Sequence, residues 1–432
     1  MKARISQQRW HTLTAWQAAA LLSRRELSAE DLTRACLDRV AERDGAVRAF
    51  AHLDADAALA QARALDAGAV RGPLHGLPLG VKDLFDTFDM PTAYGSPIYA
   101  GHRPAADAAA VALCREAGAV VMGKTETTEF AYFHPGPTRN PRHLAHTPGG
   151  SSSGSAAAVA DCMLPLALGT QTAGSIIRPA AYCGVVGYKP TTGRVPRAGV
   201  KSLSETLDTV GGFGRSVRDV ALLGAVLTGD RRLLALPDVE TPRIGMCRTP
   251  AWEQADADTR TAWEQAAKVL AAAGAALADV DLPGSLPDLV SLQKSVMSFE
   301  MMRALSHERV RHPDDLSEAL RLLLREGAAI AGEAHAAHLA AATAAARSVD
   351  ALFVSFDVLI APSATGEAPA GTEATGDPVF CRGWTLLGLP CVHLPFAQGR
   401  HGLPIGLQCI GRAGDDHRLL AAAHWVFERL TR

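Results

Sequence analysis

Two loops built of serine and glycine limit what this chain can fold into. They read "GGSSSGS" at residues 149–155 and "QTAGS" at 171–175, and Ser151 and Ser175 lie 24 positions apart. The first opens onto the alanine-rich run "AAAVA", a strand of "PLALGT" follows, and the second opens onto "IIRPAAYCG". Loop, helix, strand and loop in that order bring both loops to one edge of an α/β sheet, where small residues let backbone come close to a ligand. Serine hydroxyls held there raise the question of what would activate one of them. The usual helper is a histidine, and His146, the closest in sequence, has nothing to mark it out.

The rest of the chain supplies layers for such a sheet. From Trp16 to Ala67 the pattern is helical: "SAEDLTRACLDRVAERD" opens with Ser28 as a cap, carries acids in its first turn and repeats apolar residues at three and four. "GPLHGLPLGVKDLFD" (72–86) breaks this with Gly and Pro and yields a strand, Leu79 to Val81, that runs into Lys82 and Asp83. A helix over Ala106 to Ala117 and a strand in "GAVVMGKT" follow. That last run matches the phosphate-loop pattern at Gly118 to Thr125, but Ala, Val, Val and Met in its middle make a buried strand, so nucleotide binding is rejected. From Pro283 to Asp350 helices dominate, and strands return at 356–364, 391–397 and 403–411 before a closing helix. Without repeats or a low-complexity linker, one domain is expected over residues 1–432. It comprises an N-terminal helical layer (1–70), a core carrying the chemistry (72–215) and a helical segment (285–350) that is scaffold or partly covers a cleft.

Composition narrows the partners. A net charge of -2 gives no electrostatic reason to expect nucleic acid or a membrane surface, which leaves a small molecule. The start, "MKARISQQRWHTLTAW", lacks the apolar core of a signal peptide and no later stretch gives eighteen uninterrupted apolar residues, so a cytoplasmic setting is expected. Eight scattered cysteines without a C-x-x-C pair indicate neither a zinc knuckle nor a disulfide framework, and no metal is expected.

Of the 43 basic residues only seven are lysines: Lys2, Lys82, Lys124, Lys189, Lys201, Lys268 and Lys294. A guanidinium keeps its proton inside a protein whereas a buried amine can lose it, so a lysine in an apolar setting is a candidate base. Three readings of the serines compete. Gly150 to Gly154 satisfies G-x-S-x-G centred on Ser152, the nucleophile elbow of α/β-hydrolases, for which His393 and His417 lie later in the chain. A second reading makes the loop a helix start that binds an anion through free amides, which leaves Lys82 and the second loop unexplained. The third joins Lys82 to both loops.

On this third reading the chain resembles a known family. "GPLHGLPLGVKDLFD", "GKTETTEFA", "GGSSSGSAAAVA", "GTQTAGSIIRPAAYCGVVGYKPT" and "GLPIGLQCIG" together resemble the amidase signature family of serine hydrolases, in order and over nearly the whole chain. The resemblance implies an α/β/α sandwich, with a large mixed twisted sheet surrounded by helices. It implies a triad in which Ser175 is the nucleophile, Ser151 is a bridging serine preceded by a cis peptide bond, and Lys82 is the base. Thr172, Ala173, Gly174 and Ser175 would form the oxyanion hole. The implied reaction is hydrolysis of an amide C–N bond through an acyl-enzyme, with no metal or organic cofactor, and a homodimer is a family-level expectation. The residue types suit this work. A serine hydroxyl needs a base, a lysine serves once burial lowers its pKa, and a second hydroxyl can both donate and accept the proton in transit. Lys124 and Lys189, which also lie in family-like motifs, are expected to be structural.

Departures from the commonest family pattern cluster around Ser175. Gln171 stands in place of Asp, Ala173 in place of Gly, and Ile177 in place of Arg, while Arg178 follows three residues after the serine. "GTQTAGSIIRP" is similar to the malonamidase-type branch, in which an arginine at this offset holds a substrate carboxylate. Arg178 is therefore either a clamp for a carboxylate on a small amide or a structural arginine tying the loop to nearby carbonyls. Two further activities stay open: hydrolysis of carbamates or esters, which pass through a similar oxyanion, and the glutaminase component of a tRNA-dependent amidotransferase, which works in a complex and hands on ammonia.

Overall fold

The computed structural model describes residues 9–237, 239 and 241–431. Lys2 and the first half of the start read above for a leader lie outside the described residues. Eleven strands join into one mixed sheet: β1 (Phe50–Leu53), β2 (Pro78–Lys82), β3 (Val120–Thr125), β4 (Leu166–Gln171), β5 (Val186–Lys189), β6 (Thr209–Gly214), β7 (Arg243–Cys247), β8 (Ala276–Val280), β9 (Val358–Pro362), β10 (Cys391–Gln398) and β11 (Pro404–Ile410). Their order is β1-β3-β2-β4-β6-β5-β10-β11-β9-β7-β8. β2 to β6 are buried at every position, as strands covered on both faces must be, whereas the edge strands β1 and β8 carry exposed residues.

Fourteen helices among the described residues cover the sheet, in chain order α1 (Ala15–Ser23), α2 (Ala29–Val47), α3 (Ala55–Asp66), α4 (Ala109–Glu116), α5 (Ser153–Ala160), α6 (Ile177–Cys183), α7 (Val217–Thr228), α8 (Ala257–Ala272), α9 (Leu289–Ala304), α10 (Ser306–Arg311), α11 (Glu318–Ala328), α12 (Gly332–Asp350), α13 (Val379–Leu386) and α14 (Asp416–Leu430). The two-residue period of a strand sorts its side chains between two cores. In β9, Leu359 and Ala361 join the larger core with α9 and α13, while Val358 and Ile360 join the second with α8 and α14. The α/β/α sandwich expected from the sequence is the architecture found.

The N-terminal region corrects one expectation. The pattern from Trp16 to Ala67 reads as helix, and Ser28 does cap α2 by accepting from the Asp31 amide. Yet α2 ends at Arg48, which takes a left-handed conformation, and the chain then forms β1 antiparallel to β3 before α3 begins. Strand pairing with an already formed sheet outweighs local helical preference over these four residues.

What matters for function is the parallel trio β3-β2-β4, paired Leu79↔Leu166 and Val81↔Leu168 on one side and Val81↔Lys124 on the other. Parallel strands send their carboxyl ends to the same edge, so the residues following β2 and β4 emerge together. α5 lies directly over this trio, all eight of its residues buried. Its Gly154 cannot be anything larger, because a Cβ there would overlap the Ala49 carbonyl oxygen and the Glu126 amide nitrogen.

Candidate active site

Lys82 is the last residue of β2 and is fully buried. Its Nζ lies 2.8 Å from Ser151 Oγ and 2.8 Å from Thr170 Oγ1, the latter contributed by β4. Ser151 immediately precedes the turn into α5, and the Gly150–Ser151 peptide bond is cis. Burial pushes the Lys82 amine down to about 7, with the buried carboxylate of Asp208 pulling weakly the other way.

Ser175 sits at the end of the loop that leaves β4, just before α6. It lines a cavity with Thr172, Ala173 and Arg178, closed by Ala131, Tyr132 and Phe133 on one side and by Leu203, Met297 and Met301 on another. The loop is held from behind. Thr172 carbonyl oxygen accepts from Gln293 Nε2 at 2.9 Å, and Ala173 carbonyl oxygen accepts from Thr385 Oγ1 at 2.8 Å. In a planar trans peptide the N–H points opposite to the C=O, so the amides of Ala173 and Gly174 are turned away from α9 and α13. Gly174 is packed against α13 so tightly that a Cβ would lie 2.6 Å from Pro378 Cβ.

The departures around Ser175 now have a physical account. Gln171 Oε1 accepts from the amides of Ile176 and Ile177 at 2.9 and 3.0 Å, so it caps α6, and its Nε2 donates to Thr385 Oγ1. With those amides occupied, the start of α6 offers little to an external anion. Ile177 is in the core. Arg178 is buried, its Nη1 donating to Gly376 carbonyl oxygen and its Nη2 to Gly150 carbonyl oxygen, each at 2.7 Å. Of the two roles left open for Arg178, these bonds match the tie to nearby carbonyls, and they join the Ser175 segment to the peptide that carries Ser151.

Two residues at the site carried no signal in the sequence. Asp208, just before β6, accepts from Thr172 Oγ1 at 2.6 Å and from the amides of Leu203 and Ser204. Gln293 on α9 bridges Thr172 to Arg382 on α13. Both come from stretches whose local pattern is merely loop or helix, and only the tertiary fold brings them in. α9 also supplies Met297 and Met301 to the cavity wall.

The competing serine reading loses the freedom of its serine and one of its two histidines. Ser152 Oγ is bonded to the backbone of Thr170, donating to its carbonyl at 3.3 Å and accepting from its amide at 3.4 Å. His393 is buried against Ser363 Oγ at 2.7 Å, and burial pushes it down to about 3. Lys124 pairs with Asp83 at 3.0 Å inside β3, which confirms that the phosphate-loop match is a strand, and Lys189 donates to Pro190 carbonyl oxygen. No cluster of His, Cys, Asp or Glu among the described residues could hold a metal ion, and no described helix is long and apolar enough to cross a membrane.

Comparison with known proteins places the chain. A family model described as Amidase matches residues 31–420, and the chain belongs to this amidase family. Among curated relatives, a glutamyl-tRNA(Gln) amidotransferase subunit from Acidothermus cellulolyticus is 37% identical, the match covering 94% of this chain and 92% of that one. Among solved structures, peptide amidase from Stenotrophomonas maltophilia superposes with a TM-score of 0.83 at 31% identity, covering 97% of each chain. A chain from the vestigial protein complex described for an s-triazine catabolic enzyme superposes at 0.89 with 28% identity, covering 96% of this chain and 98% of that one.

Proposed function

We propose that this protein hydrolyses the C–N bond of a small amide, with Ser175 as nucleophile, Ser151 as proton relay and Lys82 as base. The observation that carries this reading is the state of Lys82: fully buried, bonded to two hydroxyls, and making no ion pair among the described residues. An amine so placed is neutral for much of the time near neutral pH and can accept a proton. Ser175 Oγ attacks the carbonyl carbon while its proton passes through Ser151 to Lys82. The oxyanion is met by amides of the loop Thr172, Ala173, Gly174 and Ser175. Collapse expels the amine, which takes the proton back through Ser151, and water then repeats the sequence on the acyl-enzyme with release of the acid. No cofactor enters any step.

The relatives favour a particular form of this chemistry. Eight curated relatives are glutamyl-tRNA(Gln) amidotransferase subunits of one type, at 33–37% identity over 94–98% of the chain. On that form the substrate is glutamine, the ammonia is handed to a partner protein, and the setting is the cytoplasm. The solved peptide amidase from Stenotrophomonas maltophilia instead favours simple amide hydrolysis. Carbamate and ester hydrolysis draw on the same machinery. Turnover by the purified chain of glutamine, small amides and an aryl carbamate, without ATP or partner, separates these forms, and light scattering of the same sample reads whether it is a homodimer. Brisk hydrolysis alone makes it a free-standing hydrolase. Silence alone, relieved by the other components of an amidotransferase, makes it a glutaminase component. Hydrolysis undiminished in Ser175→Ala overturns the site itself.

A further inference from the structure

Beside the Ser175 cavity lies a second buried arginine. Arg382 on α13 is 5% exposed. Its Nη1 donates to Gln293 Oε1, the same side chain that holds Thr172 carbonyl oxygen from behind. Its Nε is buried without a hydrogen-bond partner among the described residues. Its guanidinium carbon sits 5.9 Å from the centre of the Phe133 ring, a wall of the cavity, and Tyr132 beside that ring is close enough to act on its charge.

Arg178 shares this environment but not this freedom. Its guanidinium carbon is 5.2 Å from the same Phe133 ring and its Nε is likewise buried without a partner among the described residues, yet both of its terminal nitrogens are taken by backbone carbonyls, so it has no open fork of Nε with Nη2. The charge of Arg382 lowers the affinity of Arg178 for its proton, the charge of Asp377 acts on both the other way, and neither guanidinium makes an ion pair among the described residues. Two buried like charges whose nearby carboxylate, Asp377, is exposed and ion-paired to neither are costly, and the edge-on fork of an arginine, Nε with Nη2, is the shape that a carboxylate fills with two parallel bonds. Phe133 lies over both guanidiniums and supplies only a ring face.

We infer that Arg382 selects a carboxylate on the acyl portion of the substrate, with Phe133 as the ring beside it and Arg178 confined to positioning the Gly150–Ser151 peptide. The inference rests on Ser175 being the nucleophile, since that fixes where the acyl group lies. The ligand class is a short amide acid, and its hydrolysis product is a dicarboxylate.

The test compares succinamate with butyramide, which is similar in length and neutral. In the native protein, kcat/KM for succinamate exceeds that for butyramide, and succinate competes with both. Arg382→Gln lowers kcat/KM on succinamate by roughly 10- to 100-fold more than on butyramide, the loss expected for a bidentate charge-assisted pair. Arg382→Lys, which keeps the charge without the fork, falls between. In Ser175→Ala, calorimetry detects succinate binding, and adding Arg382→Gln abolishes it. Equal losses on both substrates would make Arg382 a prop for Gln293 and the Thr172 loop and would overturn the inference. So would a native protein indifferent to succinate, a reading that needs no variant to fold. Hydrolysis surviving in Ser175→Ala would instead overturn the assignment of the nucleophile, while the succinate titration still reports on Arg382.

Discussion

Lys82 ends β2 and Lys124 lies on the neighbouring β3, offset by one residue in the parallel register, and both are fully buried. Lys124 meets a carboxylate, Asp83 at 3.0 Å, together with the Phe85 and Pro91 carbonyls and Thr92 Oγ1. Lys82 meets only the hydroxyls of Ser151 and Thr170. Burial lowers the pKa of both, but at Lys124 the charge of the ion-paired Asp83 opposes it, while at Lys82 only Asp208 does, with no ion pair or hydrogen bond between them. The difference teaches that a buried lysine denied a carboxylate is free to serve as the proposed base, and that neighbouring strands can hold the same residue type in different settings.

The largest effect that this comparison predicts is at Lys82. Lys82→Met lowers kcat/KM by ~10³-fold or more, the loss of general base and relay together, in a protein whose circular dichroism is unchanged. Retained activity there would erase the distinction between the two lysines. Lys124→Met is expected to act on stability instead. It leaves the Asp83 carboxylate buried without its partner, at about 3 to 5 kcal/mol, measured by urea unfolding, while kcat of the folded fraction stays within a few-fold. A stable but inactive Lys124→Met would show that the chemistry is shared between the strands.

The pH dependence sharpens the same contrast. The base must be neutral, and its proton is lost as pH rises through the Lys82 value of about 7, so kcat/KM climbs to a plateau above that pH and falls roughly tenfold per unit below it. The smallest predicted effect is at Asp208. Its charge raises the Lys82 pKa, so Asp208→Asn moves the midpoint down, measurable as a leftward shift of the profile. A shift to higher pH would mean that Asp208 acts through Thr172 and not through charge.

How far the sequence showed this in advance differs by residue. Lys82, Ser151 and Ser175 lie in local motifs whose glycines and serines repeat the family pattern, and the structure sets Lys82 against Ser151 and hangs Ser175 from the adjacent strand. β2, β3, β4, β9, β10 and β11 were legible because apolar runs are bounded by Gly and Pro. β1 was not, since "FAHL" carries no alternation and follows a long helical pattern. β5 and β6 escaped because "VGYK" and "TVGGFG" are rich in glycine and owe their strand state to neighbours on both sides. Gln293, Asp208 and Arg382 reach the site from segments far along the chain, where nothing local distinguishes a buried polar group from a surface one.

The most direct test of the account is covalent labelling with a fluorophosphonate, mapped by mass spectrometry of the digested protein. The account predicts one label per chain on Ser175, at a rate that rises through pH 7 and is lost in Lys82→Met. Label on Ser152, or labelling of Ser175 that is indifferent to both pH and Lys82, would contradict it.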